Sequence, residues 1–132
     1  MKTKKIELQK VTKNQAKMLK EIGFDCKVEF YYNSHGELYR WNGTGEETPN
    51  SYPHYEHTAD CYSAPSIALA LKWAMEEEGI INKIDYDHEF QRFYGSFVVD
   101  GLWDCTISYD NYEEAETNLL TVILIIILKQ GE

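Results

Sequence analysis

The stretch that decides the fold is Phe93-Tyr94-Gly95-Ser96-Phe97-Val98-Val99-Asp100-Gly101-Leu102-Trp103-Asp104-Cys105-Thr106-Ile107-Ser108-Tyr109. Two runs rich in aromatic and β-branched residues flank Asp100-Gly101, a dipeptide that supplies two consecutive positive φ angles and so closes a two-residue type I′ hairpin. That turn pairs Val98 with Trp103, Ser96 with Cys105 and Tyr94 with Ile107. The three pairs share one face, because side chains alternate along a strand. This is the expected core face, with Cys105 read as a small buried hydrophobe rather than a nucleophile. Gly95 then marks a bulge or a close backbone approach on the opposite face.

Upstream of the hairpin, Ile80 to Tyr86 reads as a further strand, and Asp87-His88-Glu89 as a polar turn. Downstream, Asp110 and Glu113 make an acidic capping pair for a helix from about Asn111 to Lys129. Ala115, Leu119, Val122, Ile123 and Ile126 form one stripe of it. Leu120, Leu124, Ile125, Ile127 and Leu128 fill other directions, so its second half is apolar nearly all round. Such a helix is either buried centrally or covered by another chain. A small domain has few elements with which to surround it, so these five residues are the expected homodimer contact.

The first half of the chain supplies two more helices and a hairpin. Thr12 and Gln15 have capping-box spacing, with Val11 and Ala16 placed as a hydrophobic staple. Ala16, Leu19 and Ile22 face inward until Gly23 stops the helix, and the Lys13, Lys17 and Lys20 stripe reads as a solvated face. Alternation over Cys26, Val28, Phe30 and Tyr32 predicts a strand, Asn33-Ser34-His35-Gly36 a turn, and Glu37 to Asn42 the returning strand. Ser63-Ala64-Pro65-Ser66 opens the second helix, with Pro65 in its first turn, and Gly79 closes it. Glu76, Glu77 and Glu78 in its last turn read as a solvated end rather than cation ligands. Together these elements predict one α+β domain over residues 1–132, with three helices packed on a small, mainly antiparallel sheet of three to five strands. Residues 43–62, which lack periodicity, form a long loop.

The 132 residues include 13 basic and 22 acidic ones, a formal net charge of -9. The charge is uneven: residues 1–27 carry +5 and the remainder -14. So acidic a body disfavours nucleic acid, whose binding rests on positive charge against phosphate, and leaves the basic N-terminal arm as the one candidate footprint. Ile6-Glu7-Leu8-Gln9-Lys10 interrupts any signal-peptide core. The longest apolar run, Leu119 to Leu128, reaches about 15 Å as a helix against the ~30 Å of a bilayer core, so no membrane span is expected. Three widely spaced cysteines, Cys26, Cys61 and Cys105, suit reduced thiols in a cytoplasmic protein.

The long loop holds the candidate chemistry. His54, His57 and Cys61 fall within eight residues, with Glu56 and Asp60 beside them. Imidazole and thiolate ligate zinc, but the spacing matches no zinc motif, and incidental histidines in a polar loop are the plainer reading. Cys61 beside either histidine is also the only pair close enough in sequence for a nucleophile and its base, and no flanking motif supports that chemistry. No phosphate-binding glycine loop, metalloprotease helix, EF-hand or serine elbow is present, so no cofactor or catalytic residue is assigned. Asn42-Gly43-Thr44 fits a glycosylation acceptor, which a cytoplasmic protein would not use. Tyr52 and Tyr55, in a chain with ten tyrosines, suggest a contact surface for a protein partner.

Leu19-Lys20-Glu21-Ile22-Gly23-Phe24, Ala64-Pro65-Ser66 with Ala70-Leu71-Lys72-Trp73 and Glu78-Gly79-Ile80, and Tyr112-Glu113-Glu114-Ala115-Glu116 together resemble short uncharacterised proteins of phages and prophages in gut Bacteroidetes. The resemblance implies an α+β unit carried by a mobile element and brings no catalytic residues. The leading expectation is a non-enzymatic protein-binding module of phage or prophage type. The alternatives are an acidic phage inhibitor of a host nucleic-acid enzyme and a zinc-binding or hydrolytic protein using the His54, His57 and Cys61 loop.

Overall fold

Asp100 and Gly101 adopt φ of 52° and 77°, the two left-handed residues of a type I′ turn. In the computed structural model, which describes residues 7–42, 48–50 and 61–131, they join β5 (Arg92–Val99) to β6 (Leu102–Tyr109). The register places Val98 opposite Trp103 and Ser96 opposite Cys105. Beyond them the ladder slips by one residue at Gly95, so Tyr94 meets Ser108 instead of Ile107. An extra residue on β6 is accommodated there, as a bulge requires. β4 (Ile81–Asp87) pairs antiparallel with the other side of β5, completing a three-stranded sheet in the order β4-β5-β6.

A second, smaller antiparallel sheet comprises β1 (Phe30–Tyr32), β2 (Leu38–Arg40) and β3 (Tyr62–Ser63), in the order β2-β1-β3. The expected long loop thus ends in a strand that pairs with β1. Asn50 fixes the approach to it: its carboxamide accepts from the Ser63 amide at 2.7 Å and donates to the Phe24 carbonyl at 2.8 Å.

Three helices complete the α+β arrangement among the described residues. In α1 (Lys13–Glu21) the capping box is complete: Thr12 Oγ1 accepts from the Gln15 amide and Gln15 Oε1 from the Thr12 amide. α2 (Ile67–Glu78) is capped by Ser66 and ends at Gly79 in the left-handed conformation. α3 (Tyr112–Gln130) is capped by Asn111, whose side chain accepts from the Glu114 amide, one residue later than the Asp110 expected from sequence.

α3 lies at the centre. It contacts α1, α2 and all three strands of the larger sheet, and a single hydrophobic cluster runs from Val11 to Ile127 through Leu19, Ile67, Trp73 and Leu119. Where α3 crosses β5, Gly95 gives up its side-chain space to Leu119. A polar seam joins α1 to α3, with the buried Gln15 donating to the Thr117 carbonyl and to Thr121 Oγ1, both at 2.9 Å. The lysine stripe of α1 is not simply solvated. Lys13 donates to the Ser34 carbonyl and Lys20 to the Cys61 carbonyl, and Lys17 and Lys20 lie over the Tyr62 ring, so the stripe fastens the small sheet to the helix.

Candidate functional site

Alternation along β5 divides the larger sheet into two faces. Gly95 and the buried Phe97 turn toward α3, together with their cross-strand neighbours Ile84 and Asn82. Val98, Ser96 and Tyr94 must then turn away from it. The face expected to be the core is therefore the outer face. Trp103 is 63% exposed, Ile107 73%, and Cys105 is exposed as well rather than buried. The physical reason is steric, because the helix docks where glycine leaves room and not where the bulkiest side chains lie.

On that outer face Ile81, Val98 and Trp103 are direct cross-strand neighbours and form one row across all three strands. Ile81 is 60% exposed, so the two ends of the row stand open on either side of half-buried Val98. The next row is polar. Ser96, buried, donates to Asp85 Oδ2 at 2.8 Å, and Asp85 also pairs with Lys83 at 3.5 Å. β6 is an edge strand of the sheet as described, with no lysine, arginine or proline along it. Its outer edge has no strand partner among the described residues, although the Cys105 amide donates to Asp104 Oδ1 at 2.8 Å, and Ile107 lies on the same strand. The chain segment that builds this face is acidic: residues 71–131 hold four basic and twelve acidic side chains, a net of -8. An apolar row with a tryptophan, next to an open strand edge, has the composition of a protein-contact surface.

The structure divides the five residues expected as an interface on α3 between core and surface. Leu120 and Leu124 are 0% exposed and Ile127 is buried, enclosed by the chain's own helices and sheets. Ile125 at 41% and the half-buried Leu128 are what remains at the surface. The larger sheet together with α1 and α2 suffices to surround most of this helix, so its all-round apolar character is that of a central element. Tyr52 and Tyr55 lie outside the described residues.

His54 and His57 also lie outside them, whereas Cys61 is half-buried immediately before β3. Among the described residues no group of three or more His, Cys, Asp or Glu side chains is placed to hold a metal ion. No described helix is long and apolar enough to cross a membrane. All three cysteines are free thiols. The Cys26 thiol is pushed up, first by burial and then by Asp25, Glu77 and Glu76, which keeps it protonated and unlike an activated nucleophile. Glu76 and Glu77 thus act on Cys26, a link that the sequence spacing does not reveal.

The Ile81-Val98-Trp103 row was missed because the sequence pattern marks two apolar faces on this hairpin without saying which one a helix covers. The one available signal was Gly95 itself, which identifies the face of closest approach. Comparison with known proteins adds no relative: no protein family, curated protein or solved structure matches this chain.

Proposed function

We propose that this protein is a non-enzymatic binding module that captures an extended basic segment of a partner protein along β6, with the Ile81-Val98-Trp103 row as its apolar anchor. The observation that carries this reading is the exposed row beside a strand edge left open among the described residues, in the acidic half of the chain. A strand added to β6 would gain main-chain hydrogen bonds, and its alternate side chains would reach Trp103 and Val98. The net charge of -8 favours lysine and arginine on that strand and disfavours a second copy of the same face. The three free thiols are in keeping with a cytoplasmic setting. An origin of phage or prophage type belongs to the proposal on the strength of the residue pattern alone.

The test is a titration of labelled protein with a hexapeptide of alternating valine and lysine, read from backbone amide resonances. Saturable shifts along Leu102 to Cys105 that weaken at least about tenfold in Trp103→Ser, roughly 1.4 kcal/mol, are expected. The same variant should unfold within about 0.5 kcal/mol of the parent, as an exposed site does. A valine-glutamate hexapeptide binding equally well, or no shifts on β6, would overturn the proposal. A second reading, inhibition of a nucleic-acid enzyme by mimicry of phosphate, rests on the same acidic half. It predicts that heparin competes for the enzyme, with Trp103→Ser leaving the interaction intact.

A further inference from the structure

We propose that a separate groove around Phe30 binds a small amphipathic carboxylate. Ala64 donates its amide to the Phe30 carbonyl at 2.9 Å, but two residues on the chain has changed partner: Ser66 bridges Lys10, and Val11 donates to the Pro65 carbonyl at 3.0 Å. The N-terminal segment and the approach to β1 therefore diverge on either side of Ala64-Pro65-Ser66. Between them lies a groove of about 690 Å³, within the ~300 to 1,000 Å³ of small-molecule sites.

Three cations, Lys10, Lys27 and Arg40, line this groove, and two of them lie against the Phe30 ring. Lys10 Nζ lies 4.3 Å from the Phe30 ring centroid and Arg40 Cζ 5.3 Å from it. Arg40 is also the cross-strand partner of Phe30, which places both on one face of the small sheet. Neither cation forms an ion pair with a described residue, so each keeps its charge for a ligand. An aromatic ring contacted by two cations holds each without neutralising it. Val28, Pro65 and Leu69 line the rest of the groove, and the exposed Leu8 stands at its side.

The lining also sets the ligand's charge. Glu7 and Glu29 border the groove. They oppose a polyanion and leave room for one anionic head group, which the planar guanidinium of Arg40 can meet with two parallel hydrogen bonds. The apolar lining then accepts a hydrocarbon or aryl body. Carboxylate head and apolar tail are the chemistry that both halves of the groove recognise.

The experiment uses octanoate and octylammonium as probes, followed through the amide resonances of Val28, Phe30 and Leu69. Octanoate should give saturable shifts and octylammonium none. Arg40→Met and Lys10→Met keep the aliphatic stems over Phe30 and remove the charges, and each should weaken octanoate at least about tenfold. Arg40→Lys, which keeps the charge and loses the fork, should fall between parent and Arg40→Met. Shifts that do not saturate, equal binding of octylammonium, or unchanged affinity in both methionine variants would overturn the proposal.

Discussion

Gly95→Ala adds one methyl group to the centre of the molecule, and the structure fixes the sign of its effect. A Cβ at this position would lie 2.7 Å from Leu119 Cδ1, 2.8 Å from Leu119 Cβ and 3.0 Å from Leu119 Cγ. Comfortable carbon contacts are about 3.5 to 4.0 Å, so the overlap is close to 1 Å at three atoms. Rotation of the leucine relieves the outer two but not Leu119 Cβ, which is fixed to the backbone of α3. Either α3 lifts away from β5 or the strand bends, and both are packed against other elements. Overpacking of this kind costs about 1 to 3 kcal/mol, whereas alanine replacing glycine in open space stabilises by roughly 0.4 to 1 kcal/mol.

The expected net effect is a loss of about 2 kcal/mol. For a domain of this size that lowers Tm by roughly 6 to 10 °C, and it moves the urea midpoint down by about 1 M with an unchanged slope. Circular dichroism melts and urea titrations of the parent, Gly95→Ala, Leu119→Ala and the double variant measure it. Leu119→Ala alone removes Cγ and both Cδ atoms and leaves a cavity, costing about 2 to 5 kcal/mol. In the double variant the new methyl group occupies part of that space, so the two losses should fall short of additivity by at least about 1 kcal/mol. A Gly95→Ala protein as stable as the parent, or more stable, would refute the packing of α3 on β5.

Gln15→Leu removes the Thr12 cap contact and both hydrogen bonds to α3, and should cost about 2 to 3 kcal/mol in urea titrations, against about 1 kcal/mol for Thr12→Ala. Leu124→Ala should cost about 2 to 5 kcal/mol and Ile125→Ser less than about 1 kcal/mol, with light scattering unchanged in both; the reverse order would restore α3 as an interface. With Cys61 and Cys105 replaced by serine, alkylation of Cys26 by iodoacetamide should reach half its maximal rate above pH 9.0, because burial and three carboxylates oppose the thiolate. Tyr32 is likewise raised by burial. For both groups the folded state holds the proton more tightly, so their contribution is fully present below pH 9.0 and 10.0 and is lost as pH rises through the folded values. The urea midpoint should fall between pH 8 and pH 11, and Tyr32→Phe should lessen that fall.

Much of the local structure was legible in particular residues. The Thr12 and Gln15 box, the Ser66 and Gly79 helix limits and the Asp100-Gly101 turn act through hydrogen bonds and φ angles within a few positions of themselves, so sequence spacing captures them. The end of the long loop was not legible. Tyr62-Ser63 becomes a strand through pairing with β1 and the grip of Asn50, contacts between positions at least 13 residues apart in the chain. The Phe30 groove was equally hidden, since Lys10, Arg40 and Leu69 converge only through the exchange of strand partners around Pro65.

By itself, then, the sequence determined the element types, the helix caps and the hairpin register as far as Ser96 and Cys105. Only the tertiary structure decided which faces are covered. A period of two divides residues between two faces without ranking them, and both faces of this hairpin are rich in bulky side chains. Gly95 breaks the tie, because α3 approaches most closely where no side chain stands. That choice buries Phe97 and leaves Trp103 open to solvent. The same docking encloses most of the apolar end of α3, so the exposed apolar row lies on the outer face of the sheet rather than on the helix.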